Sequence, residues 1–172
     1  MAEYNWTRFK RSIFIDASPD AVFEAWIQPS QICAWFLKQA DYTSKEGSLR
    51  SQSDFIATGD SYAWQWWNYA TTEHGLIHAV DRDNRTLAFS FAGDCRVIVR
   101  VEVIERDTIL RLEQSDILTD EQNKRDIHIG CGQGWSFWML NLKAWLEHGV
   151  LLHEKNAAHT SGDYAFCELI NR

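Results

Sequence analysis

Alternation of apolar and polar side chains predicts β-strands through the middle of the chain. Residues 95–104 alternate valines with arginine and glutamate, which is typical of a strand that turns one face toward a core. Residues 75–80, 86–91 and 108–114 are also rich in strand formers, and the short polar connections among the four segments predict hairpins. We therefore expect antiparallel neighbours whose inner face carries Val97, Val99, Val101 and Val103 with Leu87, Phe89 and Phe91.

An earlier part of the chain shows the same period of two. Alternation starts at Ala40 and is interrupted by the polar stretch SKEGSLRSQSD, residues 44–54, which indicates a loop. After that loop Tyr62, Trp64 and Trp66 alternate with smaller or polar residues. This alternation predicts a further strand with large aromatic side chains on one face.

A strand and two short helices are predicted near the start of the chain. FKRSIFID, residues 9–16, is rich in strand formers. In the next segment Ser18 is placed to cap a helix that begins at Pro19 and ends near Trp26. The following sequence, QPSQICAWFL, predicts a second short helix with Ser30 as its cap.

Near the C-terminal end, the period changes to that of a helix. Apolar residues recur at steps of three and four and form one stripe, made of Trp135, Trp138, Met139, Leu142, Trp145 and Leu146. Gly149 follows as a residue suited to end the helix. The polar residues 117–126 predict a loop or an exposed first turn, and the apolar segment YAFCELI, residues 164–170, is expected to dock on the body.

These elements together predict an α+β fold. We expect a curved antiparallel sheet of about six or seven strands, wrapped on one long C-terminal helix, with two short helices after the first strand. A chain of 172 residues is long enough to bury a core by itself, so one domain over residues 1–172 is expected. Because 13% of the residues are aromatic, that core should be rich in rings, with a cavity between sheet and helix.

The order of elements resembles the helix-grip fold of the START-like, or SRPBCC, superfamily. Within it the chain is similar to the branch related to the activator of a heat-shock chaperone's ATPase. Three segments carry this resemblance: IFIDASPDAVFEAWIQPSQICAWFL, GLIHAVDRDNRTLAFSF and HIGCGQGWSFWMLNLKAWLEHG. These segments spread over roughly residues 9–152. The first and third segments together are fairly specific for this branch.

The resemblance implies a cavity or groove between sheet and helix, which relatives use to bind lipids, hormones or polyketides. It implies no shared catalytic residue. Its matching positions are read as determinants of the fold, among them Ser18, Pro19, Phe23, Trp26, Trp35, Phe36, Gly134, Trp135 and Leu142. A co-chaperone role connected with stress response is less directly implied, because the eukaryotic activator carries a second domain beside this one.

Charge narrows the classes of partner. The formal net charge is -7, so the mean field repels nucleic acids and anionic bilayers. No apolar run has the length of a signal peptide or of a membrane span, and a cytoplasmic protein is therefore expected.

Motifs for metal, phosphate or catalytic chemistry are weak in this sequence. His74 and His78 have a ligand spacing only on a helix, whereas their segment predicts a strand. The four cysteines form no CxxC pair, which predicts free thiols. The glycine-rich GCGQG lacks the lysine of a phosphate-binding loop. We therefore expect no metal, no cofactor and no catalytic residue.

Aromatic side chains around the expected cavity form the candidate site. Each could equally fill the core, but flat rings around a concave space are also what small-molecule sites use. The candidate residues are Tyr62, Trp64, Trp66, Phe89, Phe91, Val99, Val101, Trp135, Trp138 and Leu142. Possible polar contributors are Tyr62, Gln65, His78, Arg100 and Gln114, although parity places Gln65 and Arg100 on the outer face.

Three functions are compatible with these residues. The first is non-catalytic binding of a small apolar or amphipathic molecule in the cavity. The second is a protein-interaction module that acts on a chaperone or another protein partner. A homodimer is a further alternative, because YAFCELI offers apolar surface that a second subunit could cover. The third is a cyclase-like or hydrolase-like enzyme that uses the same cavity.

Overall fold

One antiparallel sheet forms the body of the protein. The computed structural model describes residues 4–160 and 169–171. Seven strands lie in the order β1-β7-β6-β5-β4-β3-β2, and the expected antiparallel sheet of about six or seven strands is confirmed. The strands are β1 (Phe9–Ile15), β2 (Gln39–Thr43), β3 (Ser61–Gln65), β4 (Thr72–Asp81), β5 (Thr86–Phe91), β6 (Cys95–Ile104) and β7 (Asp107–Ser115).

Most of the expected inner face is confirmed, with one correction. Val97, Val99 and Val101 are buried, whereas Val103 is 54% exposed. Val103 lies two residues before the β6–β7 turn and pairs with Thr108, so this end of the hairpin extends beyond the part of the sheet that is covered.

Two short helices follow β1 and share a boundary residue. The first, α1 (Pro19–Ile27), is capped by Ser18, whose hydroxyl accepts a hydrogen bond from the Ala21 N–H. The second, α2 (Pro29–Trp35), begins at Pro29, so the expected cap Ser30 is wrong. Proline has no N–H and a helical φ, which makes it suited to the first position, and the Ser30 N–H donates instead to the Gln52 carbonyl.

The long helix is continuous from Glu121 to His148 and therefore starts earlier than its apolar stripe. It comprises one α-turn (Glu121–Asn123), a π-helical segment (Lys124–Cys131) and an α-helix (Gly132–His148). Asp120 caps it by accepting hydrogen bonds from two backbone N–H groups of the first turn. Gly149 ends it with φ 67°, as predicted. Within the described residues, no helix combines the length and apolar character needed to cross a membrane.

Gly75 is required where β4 passes the aromatic face of β3. Its partner across the strands is Tyr62, and a Cβ on Gly75 would lie 2.5 Å from the tyrosine ring. The ring cannot easily move, because it stacks on Trp64 at 4.3 Å and its hydroxyl donates to the Ser90 carbonyl. The glycine therefore permits an aromatic layer that any side chain would displace.

We expect Gly75→Ala to destabilise the protein by about 1–3 kcal/mol through this overlap. The matched control is Gly134→Ala in the long helix, where a Cβ would meet nothing within 4 Å. This control should stabilise by roughly 1 kcal/mol, because alanine favours helix. Urea denaturation followed by circular dichroism measures both. An unchanged midpoint for Gly75→Ala would contradict the close contact.

Candidate ligand-binding groove

An open groove of about 800 Å³ lies between the long helix, the β3–β4 connection and the described end of the chain. Aromatic rings dominate its lining, with Leu140, Leu169 and Ile170 adding aliphatic surface. The rings belong to Phe36, Trp66, Tyr69, Phe91, Trp135, Phe137 and Trp138. Part of the predicted docking segment, Leu169–Ile170, thus lies against the groove, whereas residues 164–168 are outside the described residues.

Phe36, the residue that follows α2, forms the floor of the groove. Its ring centroid lies 4.7 Å from that of Trp138, 5.7 Å from that of Trp135 and 5.8 Å from that of Trp66. The contacts with Trp138 and Trp66 are edge-to-face, an arrangement that aromatic quadrupoles favour. The floor is therefore held by ring contacts from the long helix and from the residue after β3.

The structure places the ten predicted site residues in two layers. Four line the groove, namely Trp66, Phe91, Trp135 and Trp138. The other six are at most 3% exposed and lie in the core: Tyr62, Trp64, Phe89, Val99, Val101 and Leu142. The groove opens beside the N-terminal half of the α-helical segment, rather than over the centre of the sheet.

Phe36 and Phe137 are groove residues that sequence reasoning did not select. The family resemblance assigns Phe36 only to the determinants of the fold, because its position matches the pattern of that branch. Phe137 lies between Trp135 and Trp138 in the sequence but does not belong to the apolar stripe that these two residues share. Its position one residue before Trp138 was the available signal.

Gln114 is the predicted polar residue that lies behind the groove wall. Its side chain is fully buried, and its Oε1 accepts a hydrogen bond from Trp135 Nε1 at 2.9 Å. An indole N–H only donates, so this bond fixes the amide orientation and directs Nε2 away from Trp135. Among the described residues, that Nε2 has no hydrogen-bond partner.

The predicted polar or metal-ligating residues His74, His78 and Arg100 lie away from the groove, whereas Cys131 lines it. His74 and His78 are exposed on β4, and Arg100 pairs with Arg111 on the outer face. Within residues 4–160 and 169–171, no group of three potential ligands could hold a metal. Cys131 does line the groove, and burial raises the pKa of its thiol to about 11, with Gln114 opposing the shift.

His153 and Asn141 connect the segment after the long helix to the groove floor. The buried amide of Asn141 donates to the Trp35 carbonyl and accepts from the Leu152 N–H at 2.6 Å. His153 packs on Trp138 with 5.4 Å between ring centroids, and its Nδ1 lies 3.3 Å from Asn141 Nδ2. Because Asn141 Nδ2 is a donor, Nδ1 accepts and the proton of the neutral ring lies on Nε2.

We expect the free energy of unfolding to fall as the pH drops through the range in which His153 gains a proton in the unfolded chain but not in the folded chain. Burial lowers the pKa of His153 from 6.5 to about 4, and Lys155 adds to the shift. Between these values the unfolded chain binds a proton that the folded chain does not, so the free energy of unfolding decreases with falling pH.

His153→Gln should flatten this dependence between about pH 6.5 and 5, and His148→Gln, at an exposed position, should leave it unchanged. Urea midpoints across that range provide the measurement. Equal slopes for the wild type and His153→Gln would show that another group causes the loss.

A family comparison matches residues 16–147 to the family described as Activator of Hsp90 ATPase homolog 1-like protein. No protein with curated function is significantly similar to the chain in sequence.

Solved structures of similar fold include the protein SSP2350 from Staphylococcus saprophyticus, at 22% identity and TM-score 0.64, covering 84% of this chain and 94% of that chain. The Aha1 dimer from Colwellia psychrerythraea has 17% identity and TM-score 0.64, with 83% and 97% covered. Ara h 8.0201 has 10% identity and TM-score 0.58, with 81% and 96% covered. At these identities the likeness shows the fold alone.

Proposed function

Because the chain belongs to the Activator of Hsp90 ATPase homolog 1-like family, within the START-like (SRPBCC) superfamily, we propose that it binds one small apolar or amphipathic molecule in the aromatic groove. The fold typically binds hydrophobic ligands. The location of the ligand, its identity and the cytoplasmic setting expected from the sequence are parts of this proposal.

The aromatic lining of the groove is the observation that carries the proposal. Ligand sites measure about 300–1,000 Å³ and are lined mainly by apolar and aromatic side chains with few polar groups. The groove has about 800 Å³ and follows this composition. Trp66 and Phe91 are only partly buried, so they offer ring surface that the core does not use.

Binding is better supported than catalysis by the groups that reach the groove. Asp126 is the acidic residue in its lining, but it lies exposed and forms an ion pair with Arg125 at 2.8 Å. Cys131 is held as a neutral thiol, because burial raises its pKa to about 11. Neither group has the adjacent base that nucleophilic chemistry requires, so an enzyme of the cyclase or hydrolase type is the weaker alternative.

Saturable binding should be visible in tryptophan emission, because Trp66, Trp135 and Trp138 line the groove. The probe is N-phenyl-1-naphthylamine, an uncharged compound that accepts energy from indoles and becomes emissive in apolar sites. Gly134→Leu should weaken its affinity by roughly tenfold or more, since a side chain at Gly134 enters open space within the groove.

Ala144→Leu is the matched control, because it adds a similar side chain to the same helix outside the groove lining. It should bind the probe as the wild type does. Unchanged binding in Gly134→Leu would show that the probe does not occupy the groove.

Self-association is a second candidate, favoured by apolar surface beside the groove. Ile129 is 44% exposed and Leu140 51% exposed on the long helix. A structural relative, from Colwellia psychrerythraea, is described as a dimer. We propose that this helix surface covers its counterpart in a homodimer. A chaperone or another protein partner that uses the same surface is the alternative.

A dimer predicts a mass in solution of twice the 20.0 kDa of the chain. Ile129→Glu should shift the protein to the monomer, because a charge would be buried in the interface. Light scattering at micromolar concentration measures this mass, and Leu118→Glu, at another exposed apolar position outside the helix, is the control. A wild-type mass of one chain would contradict the dimer.

A further inference from the structure

The described lining of the groove contains no positively charged side chain, and this restricts the class of ligand that can bind. None of its lining residues among those described is lysine, arginine or histidine. The charged side chain in that lining is Asp126. A carboxylate or sulfonate that enters would therefore leave water without gaining a cationic partner, and desolvating an unpaired anion is costly.

Cations close to the long helix are engaged elsewhere. Arg11 donates through Nε to Ser136 Oγ at 3.0 Å, on the β1 side of the helix. Lys124 pairs with Glu121 at 2.7 Å. Arg125 is held by Asp126 itself at 2.8 Å. An anion in the groove would have to compete with these contacts to recruit Arg11, Lys124 or Arg125.

Behind the groove wall the field is also unfavourable to anions. Burial keeps the Cys131 thiol protonated, with its pKa at about 11, and the negative charge of Glu73 acts in the same direction. Glu73 is fixed nearby, because its carboxylate accepts a hydrogen bond from the Ala92 N–H at 2.6 Å. The Gln114 amide beside this thiol is neutral, so it supplies no positive charge behind the wall.

The walls favour flat rings. Phe91 and Trp135 lie 4.9 Å apart at 53°, and Trp66 and Phe91 lie 6.2 Å apart at 74°. Trp135 is only 2% exposed, so the partly buried rings of Trp66 and Phe91 present the edges and faces with which a planar aromatic guest can make edge-to-face or offset contacts. An alkyl chain of the same area gains only dispersion and apolar burial.

We infer that the groove selects uncharged, planar aromatic molecules and discriminates against anionic compounds built on the same ring skeleton. This inference rests on the proposed binding function and adds to it the class of ligand. The discrimination comes from the missing cation in the described lining, the carboxylate of Asp126 and the ring walls.

Two fluorescent probes with one skeleton test the charge selectivity. N-phenyl-1-naphthylamine is neutral, and 8-anilinonaphthalene-1-sulfonate adds a sulfonate to the same rings. The wild type should bind the neutral probe more tightly by roughly tenfold or more, as expected when a charge must be desolvated without a partner. Equal or tighter saturable binding of the sulfonate would overturn the inference and leave the proposed function standing.

A variant that adds a positive charge to the groove tests whether the selectivity against the sulfonate arises there. Gln133 is exposed on the long helix and lines the groove, so Gln133→Lys supplies a cation there with little risk to folding. It should raise the affinity for the sulfonate, relative to that for the neutral probe, by roughly tenfold. Gln52→Lys, exposed in the β2–β3 loop, makes the same change in net charge away from the groove and should change neither. If Gln52→Lys helped the sulfonate as much as Gln133→Lys, a general charge effect would replace the inference.

A competition experiment tests the shape preference. Flavone and 1-dodecanol are both uncharged, and flavone should displace the neutral probe at a concentration at least about fivefold lower. Equal displacement would overturn the preference for planar rings. If neither fluorescent probe bound saturably to the wild type, the proposed function itself would fail, and the inference with it.

Discussion

The packing of Phe36 is the constraint on which the rest of the structure depends. Its ring lies within 6.4 Å, between centroids, of six other rings, which belong to Trp26, Trp35, Trp64, Trp66, Trp135 and Trp138. These partners come from both short helices, from β3 and the residue after it, and from the long helix. Because one side chain fills the space where all of them meet, the centre between sheet and helix is solid. The open volume is left beside the N-terminal half of the α-helical segment.

A buried polar contact complements this aromatic packing. Asn141 joins the end of α2 to Leu152, and the backbone N–H of Glu154 donates to the Asn171 carbonyl at 2.6 Å. The contact thus holds residues 152–154, which in turn position Leu169 and Ile170 at the groove. A buried amide is stabilising when its donors and acceptors are paired, as they are here. The wall of the groove near the end of the chain therefore depends on a side chain that faces the core.

The groove itself combines two features that together determine its chemistry. Some of its rings, among them Trp66 and Phe91, are only partly covered by the core, and its described lining contains no positive charge. Similarity to solved structures shows the fold, while the ligand depends on side chains that differ among proteins of 10–22% identity. For that reason the ligand class that we propose depends on Asp126, Cys131 and the partly open rings of this chain.

The sequence alone determined most of the fold. Strand alternation, the cap at Ser18 and the stop at Gly149 are local features, and local backbone preferences act over a few residues. It did not reveal the π-helical segment Lys124–Cys131, because a wider helical register leaves no distinct pattern of apolar positions. Only the tertiary structure decided which rings face solvent. Trp64 and Trp66 have the same parity, yet Trp64 is buried and Trp66 lines the groove. Trp64 lies within β3 and packs against Tyr62 and Phe89, whereas Trp66 lies one residue beyond the end of the strand.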